Sequence, residues 1–236
     1  MKNASIGQIG EIVARPVDGR IGNDRAQAII EGRVELPSTG SIREQQARKL
    51  FDKFGEVLGC STFDAYVDGH GDSFAPVPQI PQFPAMQVRL FGRDSVCLVD
   101  RRIVKKVGLK EYCRLAGLVY TGEDDTLEAF DIKRVKDADI YWMMFQDGYR
   151  NRNRKPAHCR ETFAPFEVGM SEIEGVSVYV QNPEVIVDHY LDLPGSVPRG
   201  NRGYYACLGV VDGGPKLYWY WGGYSHPEYG SASRGE

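Results

Sequence analysis

The densest group of cations in the sequence lies between Arg150 and Arg160. Five fixed cations occur in these eleven residues, and asparagines alternate with the first three arginines. Guanidinium groups this close repel one another unless an anion lies among them, and their paired N–H groups suit phosphate or carboxylate. The spacing therefore predicts an anion site, with His158 beside it. The alternative is a solvated loop whose arginines pair with surface acids.

An aromatic run near the C-terminus is the second unusual feature. In a β-strand, Tyr218 and Tyr220 would face one side, and Trp219 and Trp221 the other. One pair must pack on the core, whereas the exposed pair would form a stacking surface unless a helix covered it. Together the two features predict a binding module for an anionic small molecule or nucleotide-like ligand. The predicted ligand-binding residues are Arg150, Arg152, Arg154, His158, Arg160, Trp219, Trp221 and His226.

Two other functions stay open from the sequence. The aromatic side chains and the glycine-rich tail could instead present a surface to a protein partner. A hydrolase would use His226 or His158 as the base and Ser231 or Cys159 as the nucleophile. Adjacent side chains such as those of His158 and Cys159 align poorly, so their adjacency is weak support for catalysis. No P-loop, dinucleotide fingerprint or G-x-S-x-G motif occurs, and neither catalytic residues nor a cofactor is predicted.

A cluster of acids and one histidine could hold a divalent cation. Asp64, Asp68, His70 and Asp72 lie within nine residues, and the glycines among them would let a loop wrap around an ion. The pattern lacks the ligand alternation of an EF-hand, and acids beside glycines are also typical of a solvated turn. We therefore predict a turn here and no metal site.

The overall composition limits the partners. The chain has 29 Lys and Arg against 32 Asp and Glu, a formal charge of −3, which makes nucleic acid an unfavoured partner without excluding it. The five cysteines contain no C-x-x-C pair, which indicates free, mostly buried thiols. There is no secretion signal at the start and no apolar run long enough to span a bilayer. A cytoplasmic protein without membrane contact is the expectation, and the oligomeric state stays open.

The N-terminal part of the chain is expected to contain an arm and one long helix. Glycines recur through residues 1–40, which predicts an arm with a single short helix at 25–31. Ser41 and Glu44 form a capping box before an apolar stripe at helical spacing, and Gly59 would end this helix. Four prolines between residues 69 and 84 predict an extended connector. Residues 41–236 are then expected to form a single domain.

The rest of the chain mixes short strands and helices. Hydrophobic patterns and turn residues predict strands at 86–91, 96–99, 140–145, 204–211 and 216–221, and helices at 109–116 and 173–180. Ser171 and Glu174 form a second capping box, and Asp212-Gly213 is a typical hairpin turn. Because the order lacks a regular β-α-β alternation, we predict a single compact α+β domain with a mixed or largely antiparallel sheet and peripheral helices.

Several segments in the last hundred residues resemble an uncharacterised bacterial family, a domain of unknown function. The resemblance rests on the tryptophan-rich strand at 219–223, on His226, on the Gly-Ser-Ala-Ser sequence at 230–233 and on residues 192–196. It extends over about residues 80–236. The chain departs from the family at Arg234, where a cysteine often follows, and in its more basic arginine-rich loop. The resemblance implies a bacterial, cytoplasmic, single-domain protein and brings no established activity.

Overall fold

The computed structural model describes residues 39–69, 74–92, 95–122, 126–131 and 136–236. The chain divides into two units, Met1–Ile42 and Arg43–Glu236. Only the last four residues of the first unit are described, so the architecture below is that of the second. Apart from its last two residues, the predicted arm with its short helix lies outside the described residues.

The described residues contain six α-helices and two short 3₁₀ turns. The helices are α1 (Thr39–Leu58), α2 (Phe63–Asp68), α3 (Ala85–Phe91), α4 (Arg101–Ala116), α5 (Pro156–Thr162) and α6 (Glu172–Gln181), and the 3₁₀ turns are Tyr149–Asn151 and Pro183–Ile186. Helix α1 confirms the long helix: Ala47, Leu50, Phe54 and Leu58 are buried on one face. It starts two residues earlier than predicted and ends before Gly59. None of the helices in this part of the chain is long and apolar enough to cross a membrane.

The predicted strand at 86–91 is wrong, because these residues form helix α3. The alternation of apolar and polar residues suggested a strand, but the two buried side chains, Gln87 and Phe91, are four residues apart and share one face of a helix. Gln87 donates a hydrogen bond from Nε2 to the carbonyl of Glu236 at 3.0 Å. This long-range contact explains why a polar residue is buried here. Pro84 precedes the helix, where its missing N–H costs nothing.

Helix α4 is longer than predicted. It begins at Arg101 and contains a kink at Gly108, so the predicted helix at 109–116 is its second half. The side chain of Asp100 caps the first turn by accepting a hydrogen bond from the backbone N–H of Arg102 at 3.1 Å. The helix ends at Gly117, which adopts the left-handed conformation. Arg101 is therefore placed directly after a buried strand.

Eleven strands in the described residues form three sheets. They are β1 (Val96–Asp100), β2 (Val119–Tyr120), β3 (Leu127–Ala129), β4 (Ile140–Gln146), β5 (Glu167–Gly169), β6 (Tyr190–Leu193), β7 (Ser196–Pro198), β8 (Tyr204–Val211), β9 (Gly214–Trp221), β10 (Tyr229–Ser231) and β11 (Ser233–Gly235). The four-stranded sheet, β1-β4-β11-β5, is antiparallel, and so is the pair β3-β7. The five-stranded sheet, β10-β6-β8-β9-β2, is mixed. The α+β class with mixed and antiparallel sheets is confirmed.

Local sequence signals placed several of these strands correctly. Strand β1 is buried along its whole length, and β4 has a neighbouring strand on each side, as expected for the central strand. Asp212 and Gly213 both have positive φ in the turn between β8 and β9, which confirms the hairpin. The capping box of Ser171 and Glu174 is present at the start of α6. Residues 75–84 contain neither helix nor strand, and the carbonyl of Pro78 accepts a hydrogen bond from Trp142 at 2.8 Å.

The last strands connect the two larger sheets. Strand β10 lies beside β6, and after the single residue Ala232 the chain enters β11 between β4 and β5. Ala232 donates from its N–H to the carbonyl of Asp192 at 2.8 Å and accepts from Met170 at 3.1 Å. This crossing brings Arg234 to the start of helix α6, where the candidate site lies.

Candidate functional site

The arginines at the start of the arginine-rich segment already have partners within the protein. Arg150 forms an ion pair with the buried carboxylate of Glu167. Arg154 donates to Asn151 at 3.1 Å and to Thr162 at 2.8 Å. The guanidinium of Arg152 lies 4.5 Å from the ring centroid of Tyr149. Arg150 therefore has an acidic partner, and Arg152 and Arg154 have neutral partners close to them in the sequence.

The tryptophans of strand β9 are also accounted for. Trp219 packs against the core, and Trp221 is 43% exposed with its ring perpendicular to that of Tyr224, 4.4 Å between centroids. Tyr218 and Tyr220 lie on the opposite face of the strand, as predicted from alternation. Tyr220 stacks on Tyr229, which in turn stacks on Tyr190. His226 is exposed, and its ring meets Tyr229 edge-on at 5.2 Å.

The arginine-rich segment and the chain after β9 meet through backbone atoms. Asn153 donates its N–H to the carbonyls of His226 and Tyr229, and Arg152 forms an isolated bridge with Gly230. Among the described contacts, none joins a guanidinium of the segment to Trp219 or Trp221. The two predicted stretches are therefore neighbours through their backbones.

The alternative chemistries predicted from the sequence find little in this arrangement. Cys159 is buried, and burial raises the pKa of its thiol although a hydrogen bond with Ser231 lowers it, so the thiolate is disfavoured. His158 is exposed. In the described part of the chain no group of three His, Cys, Asp or Glu side chains could hold a metal ion. His70 and Asp72 of the predicted cluster lie outside that part.

A cavity of ≈ 310 Å³ lies where β3, β5, the start of α6 and the turn at Pro194–Ser196 meet. Four cations and four acids line it, Arg101, Lys136, Arg160 and Arg234, and Glu128, Asp131, Glu172 and Glu174. Tyr141 and the rings of Phe130 and Phe163 complete its walls. Of the residues predicted from the sequence, only Arg160 borders this cavity.

Two of these charged residues neutralise each other. Glu174 and Arg234 are both almost fully buried and form an ion pair. The carboxylate of Glu174 also accepts hydrogen bonds from the hydroxyl of Tyr141 at 2.7 Å and from the N–H of Ser171 at 2.8 Å. Burial, together with the neighbouring Glu174, raises the pKa of Tyr141 well above its ordinary value. This network holds β4, β11 and α6 together at the cavity wall.

Glu172 is held by Ser196 on strand β7. The hydroxyl of Ser196 donates to the carboxylate of Glu172 and accepts from its backbone N–H at 3.0 Å. Burial raises the pKa of Glu172, in opposition to the hydrogen bond from Ser196, which lowers it. Ser196 therefore acts as a fixed partner for the first turn of α6, with both its donor and its acceptor functions in use.

The remaining cations have only neutral partners. Arg160 donates to the hydroxyl of Tyr205 at 2.7 Å and to the carbonyl of Pro194 at 3.4 Å, and its Cζ lies 3.5 Å from the ring centroid of Phe130. Arg101 donates to the carbonyl of Lys136 at 2.8 Å. Within the described residues none of these three cations forms an ion pair.

Burial acts on two of these cations in the same direction. Desolvation lowers the pKa of Arg160 and of Lys136, and the nearby Arg234 lowers that of Lys136 further. Glu128 and the exposed Asp131 also border the cavity, from β3 and just beyond it. With Glu174 paired with Arg234, the remaining charged groups of the lining are three cations, Arg101, Lys136 and Arg160, and three acids, Glu128, Asp131 and Glu172.

The fold and the cavity define an α+β protein with a small pocket lined by charged and aromatic side chains. Comparison of the chain with protein-family models, with curated proteins and with solved structures gave no match. The resemblance of the last hundred residues to an uncharacterised bacterial family therefore stays a prediction. The proposal of a function therefore rests on the side-chain geometry of the pocket.

Sequence reasoning missed most of the pocket. Arg101, Lys136 and Arg234 are far from one another in the sequence, and no local spacing connects them. One signal was present: the capping box at Ser171 placed the start of α6, and a helix start is where polar ligands often gather. Arg234 stood out only as a departure from the resembling family.

Proposed function

We propose that the cavity beside α6 binds a small organic anion. The observation that carries this proposal is the position of Arg160, a partly buried guanidinium whose contacts are Tyr205, the carbonyl of Pro194 and the ring of Phe130. Removing a cation from water without a counter-ion is costly, and an anionic ligand would offset this cost. Arg101 and Lys136 supply two further positive charges at the same cavity.

The walls indicate the size and shape of the ligand. A cavity of ≈ 310 Å³ is at the lower end of the roughly 300–1,000 Å³ that small-molecule pockets usually have. The rings of Phe130 and Phe163 offer apolar surface for a planar group. A ligand with one compact ring and an anionic group fits these features better than a dinucleotide.

Ligand-dependent thermal unfolding tests this proposal. A panel of aryl carboxylates and aryl phosphates is added at constant ionic strength, with NaCl as the reference. At about 100 times Kd, one bound anion adds about 2.7 kcal/mol of stability and raises Tm by several degrees. Arg160→Gln, with an expected loss of about tenfold in affinity, should reduce the shift to about half, while Arg152→Gln, the same change at an exposed arginine, should preserve it.

The outcome can contradict the proposal in two ways. If no anion of the panel raises Tm at millimolar concentration, the cavity is not an anion site. If Arg152→Gln and Arg160→Gln reduce the shift equally, the binding site lies in the arginine-rich segment and not in the cavity.

A protein-interaction surface is a second candidate, favoured by one observation. Tyr220, Trp221 and Tyr224 are 39%, 43% and 63% exposed, and the last two form a perpendicular pair. Exposed large aromatic groups of this kind are uncommon on a surface without a partner. Sedimentation of the wild type and of Trp221→Ala would test it. A concentration-dependent oligomer that Trp221→Ala dissociates would support a self-association surface, and a monomer at all concentrations would oppose one.

A further inference from the structure

A second arginine, the exposed Arg202, contacts the same phenyl ring as Arg160. The Cζ of Arg202 lies 5.1 Å from the ring centroid of Phe130, and that of Arg160 lies 3.5 Å from it. Arg202 is also tied to this position, because its Nη1 donates to the carbonyl of Phe130 at 3.2 Å. Phe130 in turn donates its N–H to Gly195 at 2.8 Å. Both guanidinium groups therefore contact the ring of one residue that lines the cavity.

The two guanidinium groups share no acid. The partners of Arg160 are a hydroxyl, a carbonyl and a ring, and those of Arg202 are the carbonyl and ring of Phe130. The positive charge of Arg202 contributes to lowering the pKa of Arg160, whereas Glu161, on α5, acts in the opposite direction. Glu161 follows Arg160 in the sequence and Asp131 follows Phe130, and both acids are exposed. Two neighbouring cations with neutral partners form a place for a doubly charged anion.

Among small organic anions, a phosphate monoester suits two guanidinium groups best. Each guanidinium offers a planar fork of N–H donors, and a phosphoryl group has three acceptor oxygens and close to two negative charges at neutral pH. A carboxylate has two oxygens and a single charge, which one fork already satisfies. The ring of Phe130 beside both arginines excludes water from one side of the group.

Resting on the proposed function, the geometry points to a phosphate monoester as the ligand, with its phosphoryl group bound by Arg160 and Arg202 beside Phe130. The rest of the ligand then extends along Phe130 and Phe163 into the cavity. Arg202 is in this view a specificity-determining residue: it selects a dianion over a monoanion, while Arg160 binds either.

Three ligands with the same ring test the assignment by calorimetric titration of the full-length protein. Phenyl phosphate should bind about tenfold more tightly than benzoate or methyl phenyl phosphate, which carry one charge each. Its affinity should rise from pH 5 to pH 7.5, as the second phosphate ionisation near pH 6 completes, and that of benzoate should not. Arg202→Gln should remove about tenfold of the phenyl phosphate affinity and leave benzoate within about twofold.

Arg199→Gln is the matched control, since it removes an exposed arginine three residues away from Arg202. It should leave all three affinities within about twofold. If phenyl phosphate and benzoate bind equally and Arg202→Gln changes neither, the phosphate assignment is overturned while the anion site stands. If no ligand of the series binds and no other anion stabilises the protein, the proposed function fails, and this inference with it.

Discussion

Two groups of cations in this protein differ in what surrounds them. The first, Arg150 to Arg154, is dense in sequence, and its guanidinium groups contact Glu167, Asn151, Thr162 and the ring of Tyr149. The second, Arg101, Lys136 and Arg160, is dispersed over sixty residues and lines one cavity without an ion pair in the described structure. Density of charge along the chain is therefore a poor guide to an anion site. Loss of water without gain of a counter-ion is a better one.

A buried acid near the first group of cations lacks a compensating positive charge among the described residues. Asp192 on β6 is almost fully buried, and burial alone raises the pKa of its carboxyl to about 7. Cys159, within the arginine-rich segment, is close enough for the Asp192 carboxylate to raise the pKa of the thiol. The cations of that segment nevertheless leave Asp192 without compensation, because their positions are fixed by other partners. A segment that does not neutralise a nearby buried carboxylate is a weak candidate for binding a free anion.

The largest expected effect comes from the ion pair at the cavity wall. Glu174→Gln keeps the size of the side chain and removes the carboxylate charge that forms the ion pair with the buried guanidinium of Arg234. Breaking a buried pair in this way costs about 3–5 kcal/mol. Urea unfolding should show this loss, compared with about 1 kcal/mol for Ser171→Ala, which removes only the cap of α6.

The double variant Glu174→Gln/Arg234→Met separates charge from shape. It should recover part of the stability lost in Glu174→Gln, because no buried charge is then left alone. If Glu174→Gln costs less than about 1 kcal/mol, the pair does not neutralise the cavity wall.

Asp192→Asn tests whether the buried acid near the arginine-rich segment lacks a compensating cation. The folded protein keeps the Asp192 proton up to about pH 7, whereas an unfolded chain releases it near pH 4, so the folded state binds more protons between these values. Stability should therefore fall as the pH rises through this range. For the pKa of about 7, the contribution lost between pH 5 and pH 8 is about 3 kcal/mol at most.

The measurement is the difference between variant and wild type, since other carboxylates titrate as well. Asp192→Asn should be more stable than the wild type at pH 8, and the gain should shrink towards pH 5. Asp188→Asn, at an exposed aspartate, should follow the wild-type profile. A difference between variant and wild type that is the same at both pH values would mean that the pKa of Asp192 is not raised in the folded protein.

The elements that the sequence predicted correctly are those set by neighbours along the chain. The cap of α6 requires only Ser171 and Glu174, and the hairpin requires only Asp212 and Gly213 between two apolar strands. Helix α3 was missed because the burial of Gln87 depends on the carbonyl of Glu236, 149 residues away. Local periodicity contains no information about such a partner.

The candidate site was largely beyond the sequence for the same reason. Its cations come from the start of α4, the residues before β4, α5 and β11, and the insertion of β11 between β4 and β5 is a property of the whole fold. Arg160 was predicted because it belongs to a cationic run. Its side chain, however, contacts residues outside that run. Its contacts with Tyr205 and Phe130 could be recognised only in three dimensions.

Arg150→Ala should have a smaller effect on stability. It leaves the buried carboxylate of Glu167 without its ion-pair partner, although Ser233 and the N–H of Ala164 still donate to it. Because Arg150 is about one-third exposed, solvent screens the pair, and the loss should be about 1–2 kcal/mol in urea unfolding. Arg152→Ala should change stability by less than about 0.5 kcal/mol. Equal losses in both variants would show that the segment acts as one charged unit.

Trp221→Ala is expected to have the smallest effect, and it tests the cleft that the sequence predicted. The indole of Trp221 packs against Tyr224 and is not part of the cavity wall, so anion affinity should stay within about twofold of the wild type. Titration of the same anion into Arg160→Gln provides the contrast, with a loss of about tenfold or more. If both variants lose affinity equally, the ligand lies between an arginine and the indole, and the cavity beside α6 is the wrong site. If only Arg160→Gln loses it, the dispersed cations form the site and the tryptophan-rich strand has a different role.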